Sequence, residues 1–297
     1  MATTIWVVIV NYHSQHLVIK CIDSFKKFAS INLNYVVIDN SEQPDTSELT
    51  TIHKDVVTKR PVSNGGFAAG CNLGIQHALA QNAEYILLIN PDTYVTEDVI
   101  TPLIKTLSES EEIGMASPTI YCSEPKDKIW MAGSSCNWWT GGPKHVYSSR
   151  LIEQKSAVEV PFVSGCAMMI KKAVFETAGL MDERYFLYFE DADYCERIKA
   201  KGWRIVFLPN TSLYHAVSST TGFQSKNYVY YFSRNRLWFL KRWAPRLAYI
   251  YYLLFTIVIK LPGAFVIFAL IRRKPSLCKA FFRGFIDAFR KAPRHAQ

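Results

Sequence analysis

The sequence predicts an α/β fold with a Rossmann-like mixed sheet, followed by a helical C-terminal extension. Three observations carry that prediction: apolar runs of strand length near the N-terminus, helical periodicity between them, and a basic, apolar tail unlike the rest of the chain. Residues 5–10 (IWVVIV), 35–38 (YVVI) and 85–89 (YILLI) are nearly all apolar, as parallel strands covered on both faces should be. Residues 14–28 and 67–81 repeat apolar side chains at helical spacing, which makes the region a βαβ series with right-handed crossovers. Ligands of such sheets bind beyond the carboxyl ends of the strands. That rule singles out Asn11-Tyr12-His13, Asp39-Asn40 and Asn90-Pro91-Asp92.

Residues 113–170 read as a mixed-sheet extension, with short strands, Gly-Gly turns, Trp130, Trp138 and Trp139. A strand over 160–170, helices over 171–178 and 191–201, a strand over 203–208 and a short strand over 211–214 are expected to follow. At 297 residues, 49% apolar and 14% aromatic, the chain can bury a large core, which excludes global disorder. The seven cysteines are scattered with no C-x-x-C pair, so they form neither a disulfide framework nor a zinc site and fit a reducing compartment. The first residues lack a basic stretch and the apolar run after them is too short for a signal peptide, which points to the cytoplasm.

Charge divides the chain sharply. Residues 234–297 carry a net charge of +13 and residues 1–233 a net charge of −4. The basic residues of the tail flank apolar runs at 247–259 and 261–271, which suits an anionic membrane surface and not nucleic acid. Lys260 at the centre, Pro262 and Gly263 beside it, and basic clusters on both flanks argue against a simple span. Two in-plane amphipathic helices or a re-entrant hairpin are expected; a true span and a buried, oligomer-forming helical pair are the other readings.

Several constellations offer chemistry. Asn90-Pro91-Asp92 puts a carboxylate at the sheet edge, able to bind a hard divalent cation through oxygen or simply to form a turn. Glu190, Asp191 and Asp193 open the helix over 191–201 directly after an aromatic run. Acids at a helix N-terminus are favourable in themselves, yet like charges crowded beside apolar surface raise at least one pKa, as a general base requires. Asp39 can accept from a nucleobase ring NH or begin a turn. Ser63-Asn64-Gly65-Gly66-Phe67 opens a helix with two glycines and matches no dinucleotide or P-loop pattern. His215 is a candidate metal ligand or a structural histidine. Arg234 and Arg236 can clamp a diphosphate or form the solvated face of a basic helix.

In order along the chain, VVIVNYH (7–13), VVIDNS (36–41), SNGGFAAGCNLGI (63–75), LLINPDT (87–93), residues 162–205 and YHAVSSTTG (214–222), then YYFSRNRLWFLKR (230–242), resemble family-2 glycosyltransferases of GT-A fold, in particular the rhamnosyltransferase-like branch. The resemblance covers about residues 5–242. It implies a GT-A catalytic domain over 1–226, with a nucleotide-binding half to about 112 and an acceptor-binding half after it, and a membrane-association region over 227–297. Asp39 would bind the base with Asn11 and Tyr12 beside it, and Asn64, Gly65, Asn72 and Asn90 would line the nucleotide sugar. Asp92 stands where the family's D-x-D motif ends and would hold Mg²⁺ or Mn²⁺, with His215 as a further ligand. Asn90 occupies a place where many relatives carry Asp. Asp191 would be the catalytic base, with Glu190, Asp193, Trp138 and Trp139 around the acceptor and Arg234 and Arg236 at a diphosphate. The implied reaction is inverting transfer, with dTDP-L-rhamnose as donor and a lipid-linked or polysaccharide acceptor, at the cytoplasmic face of the plasma membrane. A UDP-hexose or galactofuranose donor is the near alternative, and a non-catalytic membrane-bound scaffold the remote one.

Overall fold

A computed structural model of the chain describes residues 3–43, 46–147, 149–216 and 225–290. The expected βαβ series is present as β1 (Ile5–Asn11), α1 (Gln15–Phe28), β2 (Asn34–Asp39), α2 (Ser47–Ile52), β3 (Val56–Lys59), α3 (Gly66–Ala80) and β4 (Tyr85–Ile89). β2 and β4 flank β1, all three parallel, with β3 outside β2. The core strands are buried on both faces, as their unbroken apolar runs require. α3 lies close on β1: a methyl group on Gly74 would stand 2.3 Å from Val8 Cγ1.

Beyond β4 come β5 (Thr93–Tyr94), α4 (Ile100–Ser108), β6 (Ile113–Cys122), β7 (Ile129–Met131), the hairpin β8 (Ser134–Asn137) and β9 (Gly142–His145), α5 (Ser149–Ile152) and β10 (Val158–Glu159). β11 (Ala167–Lys171), α6 (Lys172–Ala178), α7 (Glu190–Ala200), β12 (Arg204–His215) and α8 (Lys226–Trp243) follow. The main sheet runs β10-β12-β6-β11-β4-β1-β2-β3, with β11 antiparallel between β4 and β6. The sheet is therefore mixed, as expected.

Two strand expectations change. Residues 160–166 are not a strand: Val160 N–H still donates to the Ile205 carbonyl of β12 at 3.0 Å, but Phe162 N–H donates to the Ser134 hydroxyl at 3.0 Å, and β11 starts at Ala167. The separate strands expected over 203–208 and 211–214 are one strand, β12, whose register shifts between Leu208 and Ser212 around Pro209. A proline inside a strand is confined to such irregularities because it cannot donate to the ladder.

The tail departs most from expectation. Instead of breaking at Pro262, residues Arg246–Ile271 form one helix of 26 residues, long and apolar enough to cross a membrane by length and composition. Two π segments, Thr256–Lys260 and Phe265–Ile271, flank the short α-helical stretch Leu261–Ala264. Leu261 N–H pairs with the Thr256 carbonyl, five residues back. In an α-helix the Pro262 ring would press on the carbonyl four residues before it, and the wider π turn relieves that clash. Lys260 turns inward and donates to the Tyr252 hydroxyl, so its charge does not face outward. Much of the opposite surface, including Leu254, Val258, Phe265 and Leu270, is exposed.

After a turn, the last helix, Pro275–Arg290, packs on α8. Contact is close at Gly284, where a methyl group would stand 2.2 Å from Ser233 Oγ. Trp238 Nε1 donates to the Ala288 carbonyl at 2.9 Å, and Tyr230 donates to Asp287 at 2.8 Å. α8 buries Asn235, Leu237, Trp238, Phe239 and Leu240, so the folded body extends beyond residue 226 through this helix.

Candidate active site

The carboxyl ends of β1, β2 and β4 put Asn11, Asp39 and Asn90–Asp92 on one edge. Asp39 is 2% exposed. Its Oδ1 accepts from Asn11 Nδ2 (3.1 Å), Ser41 N–H (3.1 Å) and the Ser41 hydroxyl (2.7 Å). Oδ2 is buried without a partner, an acceptor position available for a ring NH. Asn11 is committed at both ends, since its Oδ1 accepts from Ser14 N–H at 3.0 Å; it orients Asp39. Tyr12 is exposed, donating to Glu42 at 3.1 Å and packed edge-on against His13.

Asn64 Oδ1 accepts from Gly66 N–H at 2.9 Å and shapes the entry to α3. Of the two glycines, Gly66 and not Gly65 is the one the backbone requires: it has φ +89°, and a methyl group there would lie 2.0 Å from the Phe186 carbonyl oxygen. Gly66→Ala is therefore expected to destabilise the fold by at least about 1–2 kcal/mol, the cost of a left-handed residue before any clash. Urea denaturation would measure it, and an unchanged midpoint would contradict this account.

Asn72 was expected along the nucleotide sugar. It is buried instead, and both amide hydrogens are donated, to the Met181 carbonyl and to Glu183, each at 2.9 Å. It fastens α3 to the 181–183 loop and has no amide hydrogen left for a ligand.

β12 brings a distant residue to the edge. His215 pairs with Thr93 in the ladder, which places His215 Nε2 at 3.1 Å from Asp92 Oδ1. The Asn90 side chain, only partly buried, lies on the same edge. Burial pulls the His215 imidazole down, but the Cys166 thiol and the Asp92 carboxylate more than offset it and push its pKa up to about 10. Trp130 packs edge-on against His215, with centroids 4.7 Å apart. Sequence reasoning picked out Trp138 and Trp139 instead. Trp138 stacks on Phe239 and Trp139 meets Tyr251 of the apolar helix, so neither side chain packs on the Asp92–His215 pair. The apolar residues around Trp130 gave no signal separating it from its neighbours. Residues 217–222 of the YHAVSSTTG motif lie outside the described residues.

The three acids of α7 have three different environments. Asp193 is 0% exposed and is held by Arg242, Arg197 and Trp243 Nε1. Glu190 is buried with Oε2 unpartnered; burial, reinforced by the neighbouring Asp191, raises its pKa well above the ordinary range. Asp191 alone of the three retains partial exposure. Its Oδ2 accepts from Gly165 N–H at 3.0 Å and its Oδ1 from Ala192 N–H at 2.8 Å. Burial raises its pKa, and those backbone bonds oppose the rise.

One turn joins the two halves of the site. Gly165 holds Asp191, while the Cys166 carbonyl accepts from Asn90 N–H at 3.0 Å and the Cys166 thiol neighbours His215.

Sequence reasoning did not single out Asn235. Tyr188 and Phe189, just before Glu190, have φ of +69° and +73°, a left-handed backbone that costs free energy for non-glycine residues. Asn235 Nδ2 donates to the Leu187 and Tyr188 carbonyls at 2.9 and 2.8 Å and holds that turn in place. Arg234 in turn donates to Asn235 Oδ1 at 2.8 Å and lies over Trp238 at 4.1 Å. It is buried, so it braces the turn and is poorly placed to clamp a diphosphate. Arg236 is partly exposed, over Phe232 at 4.4 Å.

Comparison with known proteins identifies the family and the fold. The family model described as glycosyl transferase family 2 matches residues 6–179, more than half the chain. The low-salt glycan biosynthesis hexosyltransferase of Haloferax volcanii is 25% identical over 241 residues, 77% of this chain and 73% of that one. The dTDP-rhamnosyl transferase RfbF of Shigella flexneri is 23% identical over 222 residues, 73% of this chain and 70% of that one. Among solved structures, GalNAc-T7 with UDP, GalNAc and Mn²⁺ superposes with a TM-score of 0.69 at 18% identity, over 98% of this chain and 58% of that one. That likeness is of fold, and the fold is the GT-A type. The strand edge carrying Asp39 and Asp92 lies inside the matched span, and the chain belongs to glycosyl transferase family 2 and is a glycosyltransferase.

Proposed function

We propose that the protein transfers a sugar, with L-rhamnose from dTDP-L-rhamnose as the reading its relatives favour, onto a hydroxyl of a lipid-linked or polysaccharide acceptor in cell-surface glycan assembly of the O-antigen or capsule type. The observation that carries the mechanism is Asp191: one accessible, oriented carboxylate with a raised pKa, beside a buried acid and a fully ion-paired one. Asp191 takes the proton of the acceptor hydroxyl as its oxygen bonds to the anomeric carbon. The bond from that carbon to the diphosphate oxygen breaks on the opposite face, and the anomeric configuration inverts. Because the base must be ionised, turnover rises with pH through the raised pKa of Asp191 and levels off above it.

Asp92 and His215 are the residues that would hold Mg²⁺ or Mn²⁺, which would offset charge on the leaving diphosphate. They suit a cation that takes its other ligands from substrate phosphates, since no group of three or more His, Cys, Asp or Glu among the described residues is arranged to hold a metal ion by itself. Manganese alone should therefore leave the melting temperature unchanged. Manganese with the correct nucleotide sugar should stabilise the protein, by about 2.7 kcal/mol at a hundred times Kd. Binding should strengthen as pH rises, because the cation displaces the His215 proton. A screen of dTDP-, UDP- and GDP-sugars by thermal shift tests the donor. Stabilisation by UDP-hexoses and not by dTDP-rhamnose would overturn the rhamnose reading, and full activity in excess EDTA would remove the cation. The exposed apolar face of Arg246–Ile271 and its basic flanks support peripheral attachment at the cytoplasmic membrane face.

A further inference from the structure

We infer that the crevice enclosed by α8, the apolar helix and the last helix binds the phosphate of a lipid-linked phosphate or diphosphate, whose apolar chain runs out along the exposed face of the apolar helix. The inference rests on the glycosyl-transfer reading and gives its acceptor a place. The crevice has a volume of about 170 Å³, with apolar walls at Phe232, Phe268, Phe281 and Phe285. Two cations line it. Arg236 donates to the Tyr252 hydroxyl at 3.2 Å, and Lys260 donates to the same hydroxyl.

Among the described residues neither cation meets a carboxylate, and Arg236 Nε is buried without a partner. The acid of the last helix, Asp287, is held by Tyr230 and Arg283. Two partly buried like charges converging on one hydroxyl repel each other, and no carboxylate among the described residues offsets them. An anion between them removes both penalties. A guanidinium and an ammonium side by side suit a compact anion with several oxygens, which is the chemistry of a phosphate group.

Position argues for a lipid carrier and not a free nucleotide. The helix that walls the crevice with Tyr252, Lys260 and Phe268 also exposes apolar side chains at Phe265, Val266 and Leu270. At its other side, Arg236 lies over the ring of Phe189 at 5.7 Å, next in sequence to Glu190 and Asp191. A phosphate held here points its sugar toward the base and its chain toward the membrane.

The test uses the full-length protein and phosphatidylcholine vesicles carrying either a polyprenyl diphosphate or phosphatidylglycerol at matched charge. Wild type should prefer the polyprenyl diphosphate vesicles by about tenfold or more. Lys260→Gln and Arg236→Gln should each abolish that preference while leaving phosphatidylglycerol binding unchanged, and Lys260→Arg should restore most of it. Equal binding to both vesicles, or a preference that survives both glutamine variants, overturns the inference. Displacement from the doped vesicles by equimolar inorganic pyrophosphate would reduce the site to a phosphate site without lipid selectivity and overturn the lipid part. Stabilisation by nucleotide sugar, measured on the same samples, should persist in every variant. Its absence from wild type would sink the glycosyl-transfer reading and leave the vesicle preference standing.

Discussion

Replacing Asp191 by asparagine is expected to reduce turnover by about 10²–10⁴-fold, the usual contribution of a positioned general base, while the nucleotide sugar still binds. The amide is nearly isosteric and keeps an acceptor for the Gly165 N–H, so the turn beside Asn90 and Cys166 should survive. The measurement is single-turnover transfer alongside donor affinity by thermal shift. Glu190→Gln serves as the comparison: Glu190 is buried and its pKa is raised well above the ordinary range, which favours its neutral form and makes the amide the milder change there. Near wild-type transfer by Asp191→Asn together with an inactive Glu190→Gln would move the base to Glu190.

Asp193→Ala should behave in the opposite way. Its carboxylate is fully buried and pairs with Arg242 at 3.1 Å and Arg197 at 3.2 Å, with Trp243 Nε1 donating at 2.8 Å. Removing it leaves two guanidinium groups without that counter-charge and unties α7 from the end of α8. Breaking a buried pair in this way costs about 3–5 kcal/mol. The urea midpoint should fall accordingly, whereas Asp191→Asn should unfold near the wild-type midpoint. Two acids two positions apart would then separate into one effect on rate and one on stability. A wild-type midpoint for Asp193→Ala would refute the anchoring role.

The parts of this arrangement that could be read in advance are those encoded locally. β1, β2 and β4 were legible because both faces are buried and the apolar runs are unbroken, and Asp39 and Asp92 followed from the rule about strand ends. The acid trio was legible as a group, but its division of labour was not, because that depends on Gly165, Arg242 and Trp243 reaching it from elsewhere in the chain. The pairing of Asp92 with His215 depends on the β5–β12 ladder, which has no local signature. Pro262 signals a helix break in the sequence, and the π turns on either side that accommodate it have no sequence signature. Asn235 lies in a run of aromatic and basic residues whose pattern says nothing about a turn nearly fifty positions upstream. The family match and the fold of GalNAc-T7 bear out the glycosyltransferase reading and the GT-A fold.

Asn235 recognises Leu187 and Tyr188 only through their carbonyl oxygens, and every amino acid presents the same oxygen. The turn that precedes the acid trio is therefore open to drift in the identity of its side chains, within what packing allows; Tyr188, for instance, meets Tyr228 and Phe232 edge-on. Glycine at position 188 would even relieve the left-handed backbone, worth about 1 kcal/mol or slightly more. Position 235 has no such latitude. Aspartate would carry no hydrogen to donate, leucine would be apolar, and glutamine would be a methylene too long for a fully buried slot. Structural constraint is thus inverted relative to distance from the chemistry: side chains beside the base are free within packing, and the residue whose chemistry is fixed sits on another helix.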